Sequence, residues 1–128
     1  MTGPRLHAAA LLALPLVLGG GGAALAHHSF AMYDNTKYTK LDGVIKSYLW
    51  SNPHTMIDFV VTGADGATTT WTAECSPINM LRGKGWTRES LKEGDKVEIV
   101  LHPNRQGDKY GLLVSVAKPG AGMLKDKE

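Results

Sequence analysis

The sequence predicts an all-β protein, a small five-stranded OB-like barrel with one short helix between strands 3 and 4. Three observations carry that expectation. The elements run as three strand-like segments, a helix signal, then two more strands. A glycine, Gly43, sits near the start of the first strand, where a barrel strand must bend. The chain beyond its leader has roughly 100 residues, enough for one core and no second domain. Closing such a sheet also removes the edges that make small β proteins aggregate. A plain β-sandwich is the alternative.

Residues 1–26 read as an export signal. Arg5 supplies the charged start, Ala8 to Leu18 an apolar run broken only by Pro15, and Gly19 to Gly22 a helix break. Ala24-Leu25-Ala26 places small residues at the cleavage positions, so the mature chain is expected to begin at His27, in the periplasm or outside the cell. The run is shorter than the roughly 20 apolar residues of a membrane span, and no second one follows. An uncleaved N-terminal anchor is the alternative.

Residues 27–118 are expected to form the barrel with an N-terminal arm, and 119–128 a frayed tail. Residues 27–37 lack periodicity and form the arm. Leu41 to Trp50 alternates as strand 1, and Ser51-Asn52-Pro53 is turn chemistry. Thr55 to Thr62 is strand 2, with Ile57, Phe59 and Val61 on one face. Gly63-Ala64-Asp65-Gly66 turns the chain into strand 3, Thr68 to Ala73, with Trp71 inward. Ser76 as N-cap and Pro77 at the first helical position open a short helix that Gly83 or Gly85 ends. Trp86 is expected to plug the core, and Thr87 to Leu91 to make a capped turn. Glu93-Gly94-Asp95 leads into strand 4, Lys96 to His102, and Leu112 to Ala117 is strand 5. The expected core is Val44, Ile45, Ile57, Phe59, Val61, Trp71, Leu81, Val97, Ile99, Leu101 and Val114.

Charge narrows the function. Fourteen Lys and Arg against 12 Asp and Glu give +2, without the excess of a nucleic-acid binder. The single cysteine, Cys75, cannot form an internal disulfide and has no activating base beside it, so it is expected to be buried and inert. No nucleophile elbow or phosphate-cradling loop occurs, and the chain reads as a binding protein more than an enzyme. Asp58 and Glu74 could pair as acid and base. The plainer expectation is that Asp58 faces solvent and Glu74 pairs with Arg82 or Arg88.

Four histidines survive signal cleavage: His27, His28, His54 and His102. A terminal histidine can chelate through its α-amine, whose pKa is roughly 7.7–8.0, and its own Nδ1. A second histidine from the fold, His54 or His102, would complete the nitrogen-rich plane of a histidine brace, which favours Cu(II). His28 offers a rival chelate. Solvated or structural histidines are the plain alternative. A second class of function is a non-catalytic binding module, with Trp50 and Asn52 presenting a surface to a periplasmic protein or small ligand.

Read together, the motifs resemble one family. They are Ala26-His27-His28-Ser29-Phe30, Asp34, Leu41-x-Gly43-x-Ile45, Trp50-x-Asn52-Pro53-His54, Ser76-Pro77, Gly85-Trp86-Thr87-Arg88-x-Ser90-Leu91-Lys92-x-Gly94-Asp95 and His102-Pro103. This set is similar to a group of small exported bacterial proteins catalogued as a domain of unknown function. The resemblance runs from His27 to about Val116 and is most specific at Trp50–His54 and Gly85–Arg88. It departs at Glu74-Cys75, where a small residue is expected before Ser-Pro. The resemblance implies export and a barrel, and it implies no activity.

Overall fold

The computed structural model describes Gly3 and residues 30–127. It contains a 3-10 turn (Phe30–Met32) and six strands, β1 (Thr39–Leu49), β2 (Met56–Thr62), β3 (Thr68–Glu74), β4 (Lys96–Pro103), β5 (Tyr110–Lys118) and β6 (Gly122–Lys125). One helix, α1 (Ile78–Gly83), lies between β3 and β4. The sheet order is β3-β2-β1-β4-β5-β6, and β3 also pairs with β5. That last contact is parallel, Thr72 to Tyr110 through Glu74 to Leu112, and it closes five strands into the expected OB-like barrel.

Period-2 alternation decides what fills it. Ile57 and Phe59 of β2 and Ile99 and Leu101 of β4 have no exposed surface, and Ile45, Leu113 and Trp86 almost none. Val61 and Trp71, expected inside, are half-buried and pack against this cluster. Val44 and Val114 correct the expected core. Val44 cannot share a face with its neighbour Ile45, and it is 41% exposed.

Two bulges complicate the parity. In β1, Ile45 pairs with Phe59 and Ser47 with Asp58, so Lys46 is the extra residue. Inward positions therefore switch from Ile45 to Tyr48 and Trp50. In β5, Val100 pairs with Ser115 and Leu101 with Leu113, which leaves Val114 bulged and half-buried. Its carbonyl accepts the N–H groups of Asp126 (2.8 Å) and Lys127 (3.2 Å).

The C-terminal segment also differs from expectation. In place of a frayed tail, β6 pairs along the outer edge of β5, Ser115 to Lys125 through Lys118 to Gly122. Asp126 beyond it is buried, and its Oδ2 accepts the Ser76 N–H at 2.7 Å. Trp86, core as expected, donates its indole N–H to the Lys125 carbonyl at 2.9 Å. The N-cap of α1 is also corrected. Pro77 holds that position, Ser76 Oγ accepts from Lys127 Nζ, and Asn52 Oδ1 accepts the free Ile78 N–H at 3.2 Å.

Two substitutions test this packing. Phe59→Ala should lower unfolding free energy by roughly 3–5 kcal/mol in urea titrations, as a fully buried aromatic lost from a core does. Gly111→Ala should cost roughly 1–3 kcal/mol. Its Cβ would lie 2.7 Å from the His102 carbonyl oxygen and clash with Leu101, and backbone cannot step aside as a side-chain tip can.

Candidate functional site

The end of β3 brings a carboxylate into the barrel wall. Glu74 is 4% exposed and lies at the closing contact with β5. Burial of a carboxylate demands partners, and three side chains supply them. The hydroxyls of Tyr33 and Tyr110 (2.7 Å for the latter) both donate to Oε2, while His54 Nδ1 lies 3.1 Å from Oε1. The two tyrosine rings stack, 6.0 Å between centroids and 14° between planes. The expected pairing of Glu74 with Arg82 or Arg88 is therefore corrected. Asp58 is not simply solvated either, since it accepts from Thr72 Oγ1 (2.7 Å) and Ser47 Oγ (3.0 Å).

Tyr33 ties this carboxylate to the N-terminal arm. The arm crosses the start of the β4–β5 loop through the Tyr33–Asn104 bridge, with Asp34 N–H donating to Pro103 O (2.9 Å) and Arg105 N–H to Met32 O (3.0 Å). Arg105 Nε also donates to the Ala31 carbonyl at 3.0 Å. These bonds bring Phe30 to the wall of a cavity of about 280 Å³ that it shares with Asn35, His102, Leu112 and Lys127.

His102 is 4% exposed. Its Nδ1 lies 2.8 Å from the Lys37 carbonyl, and its ring sits 4.7 Å from that of Tyr38. A carbonyl only accepts, so Nδ1 carries the hydrogen and the neutral ring keeps its lone pair on Nε2. His54 is oriented in the same way, because its Nδ1 faces both Glu74 and the Cys75 carbonyl (3.2 Å). A backbone carbonyl or a carboxylate behind Nδ1 is how folds fix an imidazole for ligation through Nε2. His27 and His28 lie outside the described residues. Among the described residues no three His, Cys, Asp or Glu side chains gather to hold a metal ion.

Burial raises the cysteine and the tyrosines. The Cys75 thiol is fully enclosed and pushed well up, so it stays protonated and unreactive, as expected of a core cysteine. Tyr110 is raised to about 12, first by burial and then by its bond to Glu74, and Tyr33 is raised further for the same reasons. Asp34 is lowered to about 2, chiefly by the Thr36 hydroxyl.

Of the two residues expected to present a ligand surface, Asn52 is occupied in capping α1. Trp50 is 6% exposed and its remaining edge lines a second cavity with Trp86. Sequence reasoning missed Tyr33 and Tyr110 altogether. They lie 41 and 36 residues from Glu74, and no spacing motif links them.

A closed barrel with an arm pinned across one loop defines a small β-barrel protein of OB-like form. The chain belongs to DUF6152, a family of unknown function, whose model matches residues 14–115. No curated protein and no solved structure matches it. Among the described residues, no helix is long and apolar enough to cross a membrane.

The raised tyrosines set an alkaline limit. Unfolded tyrosine ionises near pH 10, whereas Tyr33, Tyr48 and Tyr110 in the fold do so only at higher pH. Their contribution is therefore full below about pH 10 and is lost as pH rises toward the folded values. Stability followed by urea titration should fall steeply between about pH 10 and 12. Glu74→Leu should flatten part of that fall and cost roughly 2–4 kcal/mol at neutral pH, because the two hydroxyls lose their acceptor.

Proposed function

We propose that the mature protein is exported, begins at His27, and binds one Cu(II) ion through the His27 amine and imidazole together with His102. The observation that carries this reading is the cavity shared by Phe30 and His102. Two residues separate His27 from Phe30, a span of at most roughly 10 Å, short enough for a terminal amine at His27 to reach the same cavity. The Lys37 carbonyl supports the same reading, since it engages His102 Nδ1 and leaves Nε2 as the nitrogen available to a metal. Nitrogen donors in this number favour Cu(II) over other divalent ions. His54 and His28 are the competing donors.

The chemistry is that of holding and handing over a metal. Cavity and arm together offer little surface for a large substrate, and the role that fits is copper storage or delivery in the periplasm. The carboxyl group of Glu74 acts at a distance: through Tyr33 it fixes the arm that carries the terminal histidine.

Copper titration of correctly processed protein, followed by electron paramagnetic resonance, should give a nitrogen-rich tetragonal signal saturating at one equivalent. His102→Ala should weaken binding at least tenfold, and His54→Ala should leave it within about twofold. A methionine added before His27 should weaken binding as much as His102→Ala, since it displaces the amine from the first residue. Mass spectrometry finding a mature terminus other than His27 would sink the proposal.

A further inference from the structure

Trp50 and the segment Gly85–Arg88 meet at one cavity. It has a volume of about 540 Å³ and is lined by Trp50, Arg82, Gly85, Trp86, Thr87, Arg88 and Glu89. This volume falls within the range of roughly 300–1,000 Å³ typical of small-ligand sites. None of its residues lines the cavity beside His102, and nothing in the copper reading uses it.

Its floor is fixed. Trp86 is 1% exposed and pinned through its indole N–H to Lys125 O. Tyr48 packs 6.5 Å from Trp86 and 5.8 Å from Trp50, and its hydroxyl donates to the Thr87 carbonyl at 3.0 Å. Gly85, at φ +86°, turns the chain out of α1 so that Arg82 and Arg88 flank the same space. The Thr87–Ser90 turn locks the second arginine's backbone: Thr87 N–H donates to Ser90 Oγ (2.8 Å) and Ser90 N–H to Thr87 O (3.2 Å).

Its charge is unspent. Both arginines are exposed, and neither guanidinium makes a hydrogen bond or ion pair among the described residues, although Glu89 lines the same cavity. Thr87 Oγ1 accepts the Glu89 N–H at 3.2 Å, and its own hydrogen is left to donate. Two planar, permanently charged forks and a hydroxyl around a hollow are donors without an acceptor. An oxyanion supplies acceptors in the paired geometry that guanidinium matches.

We propose that this cavity binds a small organic dianion, a phosphate monoester or a dicarboxylate. Arg82 and Arg88 hold the charge, Thr87 donates a hydroxyl bond, and the Trp50 and Trp86 edges meet the carbon body. The cavity is too large for an inorganic ion to fill, so the body contributes as well as the charge.

The test is calorimetric titration of the full processed chain with glycerol 2-phosphate, succinate and inorganic phosphate, read in parallel by tryptophan fluorescence. Saturable binding of at least one organic dianion, at least fivefold tighter than inorganic phosphate, is expected. Whichever organic probe binds tighter identifies the class of ligand. Arg82→Ala and Arg88→Ala should each weaken that binding about tenfold or more, with unchanged circular dichroism. The lysine replacements should not restore it, because a point charge lacks the fork. Arg105→Ala, outside the cavity, and His102→Ala should leave it unchanged, which separates this site from the copper site. The proposal is overturned by the absence of saturable binding, by inorganic phosphate binding as tightly as both organic probes, or by binding that survives the Arg82/Arg88 double substitution.

Discussion

The burial of the Glu74 carboxylate is the constraint around which this small barrel is organised. A charged group enclosed at the seam where β3 meets β5 is tolerable only if its oxygens are saturated with donors. The donors come from three otherwise separate parts of the chain: Tyr33 from the arm, Tyr110 from the first residue of β5, and His54 from the turn before β2. Satisfying one carboxylate therefore docks the arm, closes the barrel and aims an imidazole. The interaction is worth more as a geometric specification than as net stabilisation, since replacing the carboxylate together with its donors by apolar groups would avoid the cost of burial, whereas removing the carboxylate alone strands the donors.

The bulges at Lys46 and Val114 do complementary work. A strand that must follow a barrel wall cannot keep one parity along its whole length. At Lys46 the switch lets both Ile45 and Tyr48 face inward from a single strand. At Val114 the bulged carbonyl captures the chain after β6, and that chain brings Asp126 to the Ser76 N–H and Lys125 O to the Trp86 indole. The last residues thereby seal the region around α1, and one irregularity in β5 anchors the end of a segment that the β5–β6 ladder has already ordered.

Both candidate sites lie beside irregular elements and not on the sheet faces. His102 sits at the end of β4, where the arm crosses, and Arg82, Thr87 and Arg88 sit on the linker between α1 and β4. The regular strands supply rigidity, while the connections supply chemistry. A barrel of this size has no spare interior for a ligand, because its inward positions are already filled by side chains.

The sequence by itself determined the strand order, the helix between β3 and β4, the inward faces of β2 and β4, the core position of Trp86 and the burial of Cys75. Each of these follows from short-range signals: alternation, turn residues, and the cost of exposing a large apolar group. It also marked His54 and His102 by their places at strand ends. Only the tertiary structure decided that Glu74 partners two tyrosines and a histidine and not Arg82 or Arg88, that Pro77 and not Ser76 is the N-cap of α1 with Asn52 accepting its first free N–H, that Val44 and Val114 lie outside the core, and that the tail forms β6. Each of those outcomes depends on which distant backbone segments come together when the barrel closes. A single extra residue in a strand reverses every side chain beyond it, and a buried polar group takes whatever donor the closed sheet delivers, so local pattern carries no record of either.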